Sequence, residues 1–128
     1  MNQDALDPQL MLHAYAQGIF PMAETSMDLE LFWVDPEYRG VFPINQFRVS
    51  RSMNRFMRKN NLSATLNHSF EVVLSQCADR EETWINPTLQ AFYNQLHIAN
   101  QCHSLEVWQG HNLIGGVFGL TIGGAFFG

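Results

Sequence analysis

Lysine occurs once in this chain, at Lys59, and cysteine twice, at Cys77 and Cys102. Two cysteines without metal-type spacing cannot form a disulfide framework, so a small secreted scaffold is excluded and a reduced, cytoplasmic setting is expected. The opening from Met1 to Asp7 is polar and acidic and has no apolar stretch of the kind a secretory leader needs. The longest uncharged run, Val107 to Gly128, is broken by Gly110, Gly115, Gly116, Gly119, Gly123 and Gly124. A spanning helix needs about 20 mostly apolar residues, and such glycine density works against a helix of any kind, so no membrane partner is expected. The commonest catalytic signatures, G-x-x-x-x-G-K-[ST], G-x-S-x-G and H-E-x-x-H, do not occur. Disorder is equally excluded, because 46% of the residues are hydrophobic and only 15% charged. The 128 residues suffice for one compact domain, or for a small domain with part of another.

What charge there is, is segregated. The net charge of -5 conceals seven carboxylates and no cation in residues 1–37, then six cations (Arg39, Arg48, Arg51, Arg55, Arg58, Lys59) and no carboxylate in residues 38–70. Residues 71–128 return to five carboxylates against Arg80 alone. A wholly basic block in an acidic chain is a local electrostatic site for an anionic partner.

Punctuation and periodicity give the elements. Asp7 as cap, Pro8 at the first helical position and Gly18 past the last turn predict a helix whose apolar face is Leu10, Met11, Ala14 and Tyr15. Gly18 to Met22 reads as a rigid apolar connection, residues 23–31 as an acidic surface loop, and Phe32-Trp33-Val34 as a short buried segment ended by Pro36. Ser50 to Asn60 predicts a basic helix with Arg51, Arg55 and Arg58 in one stripe and Met53, Phe56 and Met57 packed inward on the other side. A strand over Asn61 to Leu66 comes next. Two helices then follow, with Phe70, Val73, Leu74 and Cys77 on one core face and Leu89, Phe92, Tyr93 and Leu96 on the other, the second opened by Asn86-Pro87. Strands are expected at Ser104 to Trp108, Leu113 to Leu120 and from Ala125, with turns at Gly110 and Thr121 to Gly124. The order is that of an α+β fold with a largely antiparallel sheet. A chain that stops on Phe126-Phe127-Gly128, in an apolar strand, reads as interrupted rather than finished.

Several groupings carry chemistry in principle. His97, Cys102, His103 and His111 contain metal-ligand types, but adjacent Cys102 and His103 face opposite sides of a strand, and no metal site is expected. Glu81 and Glu82 read as a solvated turn. The arginine stripe is either a solvated face or a phosphate-binding one; the lack of any carboxylate across the block favours phosphate. Trp33 and Trp84 are core residues, interface anchors or a stacking platform for a base. Gly115-Gly116 leaves room beside the sheet for a ligand.

Seven segments occur in order: Ala16-Gln17-Gly18-Ile19-Phe20-Pro21-Met22, Phe47-Arg48-Val49-Ser50-Arg51-Ser52, Cys77-Ala78-Asp79-Arg80, Thr83-Trp84-Ile85-Asn86-Pro87, His103-Ser104-Leu105-Glu106-Val107-Trp108, Leu113 to Gly119, and Gly123 to Gly128. Together they resemble the bacterial leucyl/phenylalanyl-tRNA–protein transferases over essentially the whole chain. The resemblance implies a small N-terminal domain (residues 1–37) followed by an incomplete domain of the Gcn5-related N-acetyltransferase type (residues 38–128). It implies transfer of Leu or Phe from aminoacyl-tRNA to the α-amine of proteins that begin with Arg or Lys, marking them for degradation, without a cofactor.

The same resemblance assigns tRNA phosphates to Arg51, Arg55 and Arg58, stacking on the terminal adenine to Trp84 and Met22, and the aminoacyl pocket to Phe126 and Val117. Met22 departs from members that carry an aromatic residue there, which implies weaker stacking. Family members continue beyond the equivalent of Gly128 into the part that carries the catalytic residues. The chain is therefore expected to be an N-terminal fragment with the tRNA-facing half of the site, inactive alone. The alternatives are a non-catalytic RNA-binding fragment and an acetyl-CoA-dependent N-acetyltransferase.

Overall fold

The computed structural model describes residues 7–24, 31–81 and 83–128. Helix α1 spans Pro8–Ala16, with the Asp7 carboxylate accepting from the Gln9 amide at 3.0 Å. Its buried face is the Met11–Tyr15 pair, one turn apart. Leu10, expected inward, is about half exposed, because it lies about 140° round the helix from Tyr15, whereas Leu12, about 60° from Tyr15, packs against the core. The expected rigid connection after Gly18 is largely a strand, β1 (Phe20–Met22), paired antiparallel with β2 (Phe32–Val34) so that Pro21 faces Trp33. The β2 segment was expected to be buried, yet Phe32 and Trp33 are exposed. Adjacent strand residues point to opposite faces, so β2 is left partly in water on both of its faces. Residues 25–30 of the expected acidic loop lie outside the described residues; at its ends Ala23 is buried and Leu31 packs on the core.

Residues 38–50 cross the surface with one 3-10 turn, Ile44–Gln46, and lead into α2 (Arg51–Lys59). Ser50 caps α2 by accepting from the Met53 amide at 3.1 Å. The helix forms where expected, but its apolar side does not pack inward. Met53 and Phe56 are half exposed, Met57 is partly covered, and the helix has no buried residue. Amphipathic spacing selects the face that would be buried. It cannot supply a partner, and no described element packs closely enough on α2 to cover it.

The main sheet has the order β3-β4-β5-β6, from β3 (Leu62–Leu66), β4 (Cys102–Gln109), β5 (Asn112–Ile122) and β6 (Ala125–Phe127), all neighbours antiparallel. Gly123 at φ +56° makes the tight β5–β6 turn, a conformation that side chains with a Cβ rarely adopt. Helices α3 (Phe70–Ala78) and α4 (Pro87–Ile98) cover one face of the sheet. The Asn86 side chain caps α4 by accepting from the Leu89 amide at 2.8 Å. The core joins Met11 and Tyr15 to Phe70, Leu74, Phe92, Tyr93, Leu96 and Leu120, so α1 shares it with both later helices. The opposite face of the sheet is open and apolar, with Leu66, Leu105, Val117 and Phe126 exposed on it. The fold is α+β with antiparallel sheets. Among the described residues no helix is long and apolar enough to cross a membrane.

Candidate functional site

A cavity of about 260 Å³ opens where α1, β1, the loop before α4, and the β5–β6 edge meet. Phe20, Met22, Trp84, Phe118 and Phe127 form its apolar walls, and Tyr15, Tyr93 and Arg39 bring the polar groups. Met22 and Trp84, far apart in sequence, are on the same cavity because the Ala23 amide donates to the Trp84 carbonyl at 3.0 Å, tying the end of β1 to the loop before α4. Trp84 is half-buried and its ring meets that of Tyr93 edge-on at 6.4 Å. Its indole is thus both wall and packing element.

The hydroxyls of Tyr15 and Tyr93 form a 2.6 Å hydrogen bond. Burial pushes the Tyr15 phenol up to about 12, the hydrogen bond from Tyr93 and the nearby Arg39 opposing it. Burial raises Tyr93 well above its ordinary value too, so the pair is neutral and acts as donor and acceptor. Arg39 lies at the rim. Its guanidinium carbon is 4.9 Å from the centre of the Phe20 ring and 5.7 Å from that of Phe127, and Nη1 donates to the Gly18 carbonyl at 3.3 Å. Sequence reasoning missed Tyr93, Phe127 and Arg39 as site residues and took Tyr15 as core. The signal available was that Arg39 heads the carboxylate-free block while adjoining the acidic segment.

Phe126 and Val117 lie elsewhere. Both sit on the open face of the sheet, against Gly128, and are exposed. A Cβ on Gly119 would stand 2.7 Å from the Phe126 ring and collide with the Phe127 carbonyl, so glycine there leaves room for the end of β6 beside β5. The described structure therefore gathers Met22 and Trp84 on one cavity, and Phe126 with Val117 on the other side of the same strand edge. Arg51, Arg55 and Arg58 are exposed on α2, and among the described residues none has a carboxylate partner. Trp33, the other stacking candidate, is on the β1–β2 sheet and does not line this cavity.

The remaining groupings have structural partners. His97 Nδ1 is 2.9 Å from the Cys102 carbonyl oxygen, His103 bridges Asn67 and Thr121, and His111 stands in the turn between β4 and β5. Cys102 is buried and His103 points the other way; burial takes the Cys102 thiol up to about 12, a hydrogen bond from the His103 amide opposing it. Among the described residues no three His, Cys, Asp or Glu gather as a metal site. Glu81 is exposed, and Glu82 lies outside the described residues. A second cavity of about 390 Å³, between α3 and β5, is lined by Cys77, Arg80, Gly115 and Gly116.

Glu106 has no counterpart in the sequence reading as a functional group, yet it is fully buried. Its carboxylate accepts from Thr65 Oγ1 at 2.7 Å, the His68 amide at 2.9 Å and Ser104 Oγ at 2.5 Å. Burial acts to raise its pKa, but the hydrogen bonds from Ser104, Thr65 and the amides of His68 and Ser69 outweigh it and hold the carboxyl below its usual range. Trp108 Nε1 donates to Thr65 Oγ1 at 2.8 Å, extending the network.

The profile of the family described as "Leucyl/phenylalanyl-tRNA protein transferase" matches residues 41–128, and that of its N-terminal domain matches residues 4–37. Similar curated relatives include the leucyl/phenylalanyl-tRNA–protein transferase of Cereibacter sphaeroides strain KD131, 51% identical over the whole chain and 60% of the relative. The one from Ruegeria pomeroyi is 53% identical over 97% of the chain and 59% of the relative. That from Jannaschia sp. strain CCS1 is 52% identical over 96% of the chain and 58% of the relative. The chain spans about 60% of the length of the curated relatives it matches.

Proposed function

The chain belongs to the leucyl/phenylalanyl-tRNA protein transferase family, and on that premise we propose that it holds the acceptor end of an aminoacyl-tRNA for transfer of Leu or Phe to a protein's α-amine. The acceptors are proteins that begin with Arg or Lys, the setting is the cytoplasm, and neither metal nor cofactor takes part. The observation that carries the reading is the shared cavity of Met22 and Trp84, whose volume of about 260 Å³ and aromatic walls suit a purine ring. Arg51, Arg55 and Arg58, exposed and unpaired among the described residues, receive the backbone phosphates. Phe126 and Val117 receive the apolar aminoacyl side chain on the open face of the sheet. The antiparallel sheet backed by α3 and α4 is compatible with an acyltransferase of the Gcn5-related type, and residues 1–37 and 38–128 are the two parts of that design.

In the reaction the neutral amine attacks the aminoacyl ester; the C–N bond forms, the C–O bond breaks, and the terminal hydroxyl of the tRNA leaves with a proton. No covalent enzyme intermediate is required, and the buried Cys102 thiol is not placed to form one. Among the described residues the cavity is lined by phenols, a guanidinium and apolar rings, with no carboxylate or imidazole base. We assign binding of the tRNA end to these 128 residues and expect no transfer from the chain alone. The test measures binding of Leu-tRNA and Phe-tRNA by anisotropy, and transfer to a peptide beginning with Arg. Salt-dependent tRNA binding without transfer is expected from the chain alone. Affinity no better than for an unrelated RNA duplex would overturn the reading.

A further inference from the structure

Resting on that reading of the Met22–Trp84 cavity, we propose that Arg39 binds the phosphate on the 5′ side of the terminal adenosine and so sets the direction in which the nucleotide enters. A guanidinium carries five N–H donors in a planar fork matched to phosphate oxygens. Arg39 uses one of them, in a long 3.3 Å bond to the Gly18 carbonyl. Among the described residues it has no carboxylate partner, although the acidic Asp35 and Glu37 lie just before it in the chain. Its guanidinium carbon instead lies over the rings of Phe20 and Phe127, both of which line the cavity. Ring faces fix a cation in position without consuming its donors. Among the described residues it is also the one charged group on the lining of this cavity.

A base between Met22 and Trp84 leaves its ribose toward the rim. The 3′ side must carry the aminoacyl ester, which is uncharged at the bond to be broken, so the charge to be met is on the 5′ side. The competing role for Arg39 is a strut that joins β1 to β6 through the two rings. It predicts equal losses for every ligand, whereas a phosphate contact discriminates between ligands that differ only in phosphate.

The experiment titrates the 128-residue chain with adenosine and with 5′-AMP, following indole and methyl NMR signals, for wild type, Arg39→Gln and Arg39→Lys. Wild type should bind 5′-AMP about three- to tenfold more tightly than adenosine at low salt. Arg39→Gln should lose that preference while keeping its adenosine affinity, and Arg39→Lys should retain part of it. Equal affinities of the two ligands for wild type would overturn the proposal and leave the adenine cavity standing. So would a parallel loss of both ligands with a lowered melting temperature in Arg39→Gln, which is the strut. Binding of neither ligand would remove the adenine reading itself, and this proposal with it.

Discussion

The Tyr15 and Tyr93 hydroxyls, 2.6 Å apart, join the segment matched to the family's N-terminal domain to the segment matched to its larger part. Both phenols are buried, so removing one oxygen leaves the other without its partner. Tyr15→Phe and Tyr93→Phe should each lower stability by about 1–2 kcal/mol, and the double substitution by clearly less than their sum. The pH dependence has a definite sign. Tyr15 titrates near 12 in the folded chain against 10 in the unfolded one, so its contribution is complete below pH 10 and is lost as the pH rises from 10 to 12. Denaturant melts across that range should show the loss in wild type and a smaller one in Tyr15→Phe.

Glu106 gives the opposite dependence. Its folded pKa lies below the ordinary 4.5, so its contribution is present above pH 4.5 and disappears as the pH falls through the lowered value. Glu106→Gln places an amide among the Ser104, Thr65 and His68 donors and should cost about 2–3 kcal/mol at neutral pH. The variant should also show a flatter acid limb in thermal melts. An unchanged midpoint at pH 7 would show that the network does not hold the turn between β3 and α3.

The elements were legible where punctuation and period agreed. Asp7-Pro8 and Asn86-Pro87 open helices as their chemistry requires, and Leu89, Phe92, Tyr93 and Leu96 are all buried at their helical spacing. What failed was burial at faces whose covering depends on other parts of the molecule. Met53 and Phe56 on α2, and Phe32 and Trp33 on β2, have the right residues for an interior and no described neighbour to make one. Strand β4 shows a deeper limit. Its polar residues Ser104 and Glu106 face the helices while Leu105 faces out, because Thr65 and the amides before α3 wait on the inner side. Alternation fixes which residues share a face; only the partners decide which face is inside. The candidate site was half legible for the same reason. Met22 and Trp84 came from motif likeness, but the Arg39 bridge between Phe20 on β1 and Phe127 on β6 joins residues too far apart in sequence for any local pattern to pair.

Exposed apolar side chains on the approach to α2 make a separate expectation. Phe42 and Ile44 are more than four-fifths exposed, and Phe47 is also largely uncovered. The Phe42 and Phe47 rings meet edge-on at 6.0 Å, and apolar side chains left in water in this way should bind a hydrophobic dye in the folded state. Phe42→Ser combined with Ile44→Ser should cut dye fluorescence severalfold and change stability by less than about 0.5 kcal/mol. Dye fluorescence unaltered by the pair would move the accessible surface to the open face of the sheet.

The arginine stripe is testable without disturbing the fold. Arg51, Arg55 and Arg58 are exposed and make no ion pair among the described residues, so alanine at each should leave the melting temperature in place. Each substitution should weaken tRNA binding and reduce the slope of log affinity against log salt by about one. Three variants with wild-type affinity and slope would make the stripe a solvated face.

Trp84 combines two functions that substitution can separate. Its ring packs on Tyr93 and the core, and the same half-buried ring forms a wall of the cavity. Trp84→Phe keeps an aromatic face at the wall and much of the packing. It should retain most adenosine binding and lose about 1 kcal/mol of stability. Trp84→Ala removes both and should lose about 1–3 kcal/mol of ligand affinity together with about 2–3 kcal/mol of stability, less than a fully buried tryptophan would. The decisive comparison is affinity per folded molecule, read at a temperature well below both midpoints. If the alanine variant, still folded there, binds adenosine as wild type does, the indole is a packing element and the purine sits elsewhere. If affinity falls in alanine but not in phenylalanine, the ring face itself is what the ligand meets, since the two variants differ at that wall in the presence of an aromatic plane.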